Sequence, residues 1–124
     1  MKNKILVLAG FFFLIGLSFQ TQAQKAKKVA TIKIKTSTQC EMCKERLEKA
    51  MAYEKGIKSA VLDVPSKVLT VTYKTRKTNP DKIRKAVSKV GYDADDVPAW
   101  KKAYDKLPAC CQKGGHDHEK MKKN

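Results

Sequence analysis

No apolar stretch of this 124-residue chain is long enough to cross a membrane. The longest runs from Ile5 to Leu17 without a charge, well short of the roughly 20 residues a spanning helix needs. Phenylalanine is absent after Phe19, and Trp100 is the single tryptophan. The interleaved aromatic and basic platform on which single-strand binders stack bases is missing, so nucleic acid is not an expected partner. Acidic residues are scarce, 12 against 27 Lys and Arg, giving a formal net charge of +15. The length leaves no room for a second large domain, and regular apolar patterns exclude a wholly disordered chain. Cysteine is limited to four residues in two tight pairs, Cys40 with Cys43 and Cys110 with Cys111. Neither pair closes a loop long enough to restrain the unfolded chain much, which excludes a disulfide-stapled scaffold.

What is present begins with a targeting segment. Lys2 and Lys4 precede the apolar run, and Thr21-Gln22-Ala23 places small residues where a signal peptidase cuts. Residues 1–23 therefore read as a cleaved secretory signal. No cysteine stands near the cut, so a lipid anchor is not expected. The protein is expected in the periplasm or secreted, beginning with a basic leader at residues 24–28.

From Ala30 the pattern alternates, with Ala30, Ile32 and Ile34 apolar between polar neighbours, the mark of a half-buried strand. A polar loop leads to Cys40-Glu41-Met42-Cys43 and then a helix with Cys43, Leu47, Ala50 and Met51 on one face, ended by Gly56. Ile57 to Val64 reads as a second strand with Ala60, Leu62 and Val64 inward. Pro65-Ser66 makes a turn, and Val68 to Lys74 is a third strand with Leu69, Val71 and Tyr73 inward. Asn79 and Pro80 open a second helix, whose Ile83, Ala86, Val87 and Val90 form one stripe. Tyr92 to Val97, thick with Asp, is at best a weak strand. An added helix over 98–107 carries Trp100, Ala103, Tyr104 and Leu107 at core spacing, and a tail over 108–124 is expected to be loose. Strand, helix, strand, strand, helix, weak strand is the order of an α+β, ferredoxin-like βαββαβ sandwich, here with a C-terminal helix and flexible tail.

The chemistry points to Cys40 and Cys43. A C-x-x-C at a helix start meets unpaired N–H groups and the positive end of the helix dipole, with Lys44 alongside. Both favour the thiolate, the form that binds metal. Two thiolates select soft or borderline ions such as Cu(I), Hg(II) or Zn(II), and two ligands leave the ion open to being handed on.

The arrangement resembles the heavy-metal-associated domain family of copper chaperones, copper-ATPase metal-binding domains and periplasmic mercury-binding proteins. The resemblance covers about Val29 to Val97. It rests on the C-x-x-C between first strand and first helix, on Gly56-Ile57-Lys58-Ser59-Ala60, on Leu69-Thr70-Val71-Thr72-Tyr73 and on Gly91-Tyr92. It implies that Cys40 and Cys43 grip the metal and that Tyr92 packs near them from the facing loop. The family's usual Gly-Met-Thr or Gly-Met-His before the first Cys is replaced here by Ser37, Thr38 and Gln39. The resemblance implies a non-enzymatic carrier, with Cu(I) favoured, that passes its ion to a metal transporter or acidic acceptor domain.

Other readings of the same residues are a periplasmic thiol-disulfide oxidoreductase, a simple disulfide, and Met42 as a thioether ligand. The oxidoreductase fits poorly, because no strand carries the proline that a thioredoxin-like site needs. Cys110, Cys111, His116 and His118 gather the remaining Cys and both His of the chain. They are expected to form a second, weaker site for Zn(II) or copper on the tail, or to fold back onto Cys40 and Cys43. Lys44, Arg46, Lys49, Lys82, Arg84, Lys85 and Lys89 offer a basic face for an acidic partner or, transiently, an anionic membrane surface. The chain is expected to be a monomer.

Overall fold

The computed structural model describes residues 28–115. The expected signal segment, most of the basic leader, His116 and His118 lie outside the described residues. Strands β1 (Val29–Lys35), β2 (Ile57–Asp63) and β3 (Val68–Lys74) form one antiparallel sheet in the order β1-β3-β2. The register sets Ile34 and Leu62 on either side of Leu69, and Ile32 and Ala60 on either side of Val71. Because side chains alternate across a strand, this register brings Ile32, Ile34, Ala60, Leu62, Leu69 and Val71 onto one face. The β2–β3 turn closes with the Lys67 N–H donating to the Val64 carbonyl.

Helices α1 (Glu41–Ala52) and α2 (Pro80–Val90) cover that face. Cys43, Leu47 and Met51 of α1 and Ile83, Ala86 and Val87 of α2 join Ile34, Leu62, Leu69, Val71 and Tyr73 in one core. Asn79 caps α2 as expected, its side-chain oxygen accepting the Lys82 N–H at 2.9 Å with Pro80 in the first turn. Gly91 ends α2 with φ 115°, and a Cβ there would stand 3.1 Å from both the Ala103 backbone and Leu107. The bare glycine thus lets the later chain press against the end of α2.

The architecture is the ferredoxin-like α+β class read from the sequence, with its last strand reduced to a single bridge between Thr36 and Ala94. Asp95 accounts for the difference. It turns the chain at φ 51°, and its carboxylate, where a ladder carbonyl would otherwise sit, accepts the Lys35 N–H at 2.9 Å. Aspartate is also depleted in strands, which works against continued pairing.

The added helix, α3, covers only Lys101–Asp105, shorter than the 98–107 expected. Trp100, expected in the core, is its N-cap and is 53% exposed. Its N–H donates to the Ser88 carbonyl at 3.0 Å, which spends the backbone on α2 and leaves the ring outside the stripe. Leu107 is buried. The tail, expected to be loose from Ala109, instead forms a 3-10 turn, Ala109–Cys111, and Cys111 is 1% exposed. Among the described residues no helix is long and apolar enough to cross a membrane.

Candidate metal site

The loop from Thr36 to Cys40 carries the site and is pinned by hydroxyls. Thr38 stands where the resemblance leads one to expect methionine, and it is 1% exposed. Its hydroxyl lies 2.8 Å from that of Thr36, which donates to the Lys67 carbonyl at 2.8 Å. A threonine of half methionine's reach can sit under the loop because its polar atom is satisfied there. Ser37 ties the loop to the segment after α2, its hydroxyl accepting the Asp93 N–H at 2.9 Å.

Cys40 is the N-cap residue of α1 and makes no side-chain capping bond, so its sulfur is left free for other partners. Cys43 lies one turn on and is fully buried. Their Sγ atoms are 3.4 Å apart, and all four cysteines are free thiols. Lys44, expected to add charge beside the sulfurs, points away: its Nζ donates to the Leu62 carbonyl at 2.9 Å and pairs with Glu48 at 3.5 Å.

The structure brings the second cysteine pair to the first. Sγ of Cys40, Cys110 and Cys111 all lie within 4.8 Å of one another. Cys110 and Cys111 are 4.0 Å apart at sulfur, and Cys110 Sγ approaches Met42 Sδ at 3.8 Å. Met42 itself is half exposed at the rim. His116 and His118 cannot be placed, being outside the described residues.

Tyr92 is fully buried beneath the sulfurs. Its hydroxyl has no well-formed hydrogen bond among the described residues, and the polar groups it faces are Cys43 and Cys111. Burial first, then those two sulfurs, push its ionisation far above the ordinary tyrosine value, so it stays a neutral donor. Burial works to raise the Cys43 thiol. Interactions with Cys111, the backbone at Gln39, Cys40 and Tyr92 outweigh it and hold Cys43 below its ordinary value. Cys111 shifts the other way: burial, then the neighbouring Cys43, pushes it up to about 12. In the metal-free protein Cys43 therefore ionises more readily than Cys111.

The heavy-metal-associated domain model matches residues 26–93, more than half of the chain. The chain belongs to the heavy-metal-associated domain family. Metal binding of the chaperone type is the activity this family supports, and its chaperones are carriers rather than enzymes. The structure is similar to that of the CopZ metallochaperone, with TM-score 0.50 and 23% identity over 52% of this chain and 98% of that one; at this identity the likeness speaks to the fold. It also resembles oxidized MerP from Ralstonia metallidurans CH34, with TM-score 0.46 and 25% identity over 53% and 96%. Mercury-bound MerP, the periplasmic protein of the bacterial mercury detoxification system, matches with TM-score 0.44 and 22% identity over 53% and 96%. No curated protein matches the chain significantly. The matched residues end at 93, so α3 and the cysteine-bearing tail lie beyond the matched region. Their signal in the sequence was Cys110-Cys111 directly after an apolar stripe ending at Leu107.

Proposed function

We propose that this protein is an exported carrier of a soft metal ion, Cu(I) first, with Hg(II) and Zn(II) as the other candidates. Cys40 and Cys43 grip the ion, which passes by thiolate exchange to a membrane transporter or acidic acceptor domain. The observation that carries the reading is the pair of free sulfurs 3.4 Å apart at the start of α1, in a domain whose family handles such ions. Export rests on Lys2, Lys4, the apolar run and the small residues ending at Ala23.

Binding requires the thiols to lose protons, and the low-lying Cys43 and the first-turn N–H groups of α1 both ease that loss. Arg46 and Lys49 are exposed on α1 beside the half-exposed Met42 and exposed Tyr53. They form a basic rim for an acidic acceptor. Arg84, also expected on the basic face, is engaged with Asp81 and Asp95.

The test is titration of reduced protein with Cu(I) and Hg(II) against a competing chelator. Cys40→Ser with Cys43→Ser should abolish tight binding; unchanged binding would place the site elsewhere. Transfer to an acidic acceptor domain should slow as salt rises, because screening shortens to about 8 Å at physiological ionic strength. Measurable turnover of a disulfide substrate would favour the oxidoreductase reading instead.

A further inference from the structure

The second cysteine pair stands against the first, with three sulfurs in one group and Cys43 beside it. Sulfurs bound to a single tetrahedral ion at about 2.3 Å stand about 3.8 Å from one another. The Cys40–Cys43 and Cys110–Cys111 separations are 3.4 and 4.0 Å, and Cys40, Cys110 and Cys111 lie mutually within 4.8 Å. Shifts of a few tenths of an ångström to about one ångström bring the sulfurs of Cys40, Cys110 and Cys111 onto one centre, with Cys43 3.4 Å from Cys40 beside them. Adjacent cysteines can share an ion only if the backbone bends between them, and the 3-10 turn at Ala109–Cys111 supplies the bend.

The tail is held in this place by bonds of its own. Pro108 starts the turn, and its carbonyl accepts the Cys111 N–H at 2.8 Å. The Gln112 side chain donates to the Leu107 and Tyr104 carbonyls at 3.3 and 3.4 Å, closing the end of α3. The Lys113 N–H donates to the Tyr104 hydroxyl at 3.0 Å, and its ammonium pairs with Asp93. Asp93 in turn donates its N–H to Ser37 of the site loop. The tail is therefore tied to the loop that carries Cys40, not only to α3.

We propose that Cys110 and Cys111 ligate the same ion as Cys40, with Cys43 the fourth sulfur of the set, so that a single thiophilic ion is enclosed by three or more sulfurs of one chain. This deepens the carrier reading and rests on it. Each tail sulfur takes a position that an acceptor's thiolate would otherwise use, so lifting the tail opens the ion to exchange.

The experiment uses the reduced full-length chain, Cu(I) as probe, and a competing chelator under anaerobic conditions. X-ray absorption should count three or more sulfurs around one Cu(I) per chain. Removing groups that merely orient a ligand costs about 10–100-fold in metal affinity, so Cys110→Ser with Cys111→Ser should cost no less, and release to the chelator should quicken. Because Cys111 is buried, Cys110→Ser alone, at a partly buried position outside the core, is the second variant; it should lose one sulfur from the count while keeping the fold. A count of two sulfurs in the wild type, or unchanged affinity and count in both tail variants, overturns the shared site. Two ions in the wild type and one in the tail variants would also overturn it, in favour of separate sites. In each of those cases the carrier reading stands as long as Cys40→Ser with Cys43→Ser loses the ion. If that variant still binds as tightly as the wild type, both readings fall.

Discussion

Replacing Tyr92 by Phe removes one oxygen from the floor of the site and nothing else. The hydroxyl is fully buried and lacks a well-formed hydrogen bond among the described residues. A buried polar group left unpaired costs about 1–3 kcal/mol. The sulfurs of Cys43 and Cys111 in front of it recover part of that cost, since sulfur is a weak acceptor. The expected net effect of Tyr92→Phe on the reduced, metal-free protein is therefore stabilisation by about 1 kcal/mol. For a domain of this size that raises the melting temperature by roughly 4–8 °C. Urea unfolding measures the same difference as a higher midpoint at constant slope. A second readout separates this from a general packing effect. Tyr92 is one of the groups that hold the Cys43 thiol down, so its loss should move the thiolate absorbance of Cys43 to higher pH. Destabilisation by more than about 1 kcal/mol would refute the reasoning, because it would show that the hydroxyl makes a bond worth more than its burial costs.

Three further outcomes follow from other parts of the fold. Asn79→Ala removes the bond to the Lys82 N–H and should cost about 1 kcal/mol in chemical denaturation, with Asn79→Asp close to neutral. Asp95 is held below the usual carboxylate range: burial opposes this, but Arg84 and the Lys35 N–H outweigh it. Its contribution is therefore fully present above the unfolded value of about 3.9 and disappears as pH falls through the lower folded value. Asp95→Asn should flatten that part of the acid-unfolding curve, followed by circular dichroism. An unchanged acid limb would mean that the Arg84 pair does not matter to the fold. Gly115→Ala, the third, tests the tail.

The alternation of Ala30, Ile32 and Ile34, of Leu69, Val71 and Tyr73, and the Asn79-Pro80 opening were legible because each is a local preference that the final packing does not contest. The C-x-x-C site was legible for the same reason: both cysteines belong to one helix start. What was not legible depends on bonds between distant residues. Trp100 leaves the core because its N–H finds Ser88. The expected fourth strand stops at one bridge because Asp95 bonds Lys35 with its side chain. Lys44 turns from the sulfurs because the Leu62 carbonyl and Glu48 lie on its other side. The tail reads as loose in composition, yet it docks through Lys113 to Asp93 and Gln112 to the end of α3, pairings that no periodicity announces. Thr38 stands where the family carries methionine, and its hydroxyl bond with Thr36 supplies support beneath the loop, a contact no local pattern announces.

A carrier must hold an ion tightly and still release it, and the proposed tail ligands would meet both demands by docking and lifting. Its tethers are individually weak. The Lys113–Asp93 pair is partly exposed, a setting in which ion pairs contribute about 0–1 kcal/mol. The Gln112 bonds are long, and a neutral hydrogen bond contributes about 0.5–1.5 kcal/mol net. Together they favour the docked tail by a few kcal/mol, which leaves a small but recurrent open population. Gly115→Ala shifts that balance without touching a sulfur. A Cβ at Gly115 would overlap the Ala109 carbonyl, so Gly115 and the turn carrying Cys110 and Cys111 cannot both keep their places. The variant should still unfold cooperatively, with its midpoint lowered by no more than docking of the tail contributes, since Cys111 is the one core residue on the displaced turn. It should also release Cu(I) to a chelator faster in stopped flow, approaching the rate of the Cys110→Ser, Cys111→Ser protein. Release at the wild-type rate from a variant with a displaced tail would show that the tail does not govern the exit of the ion.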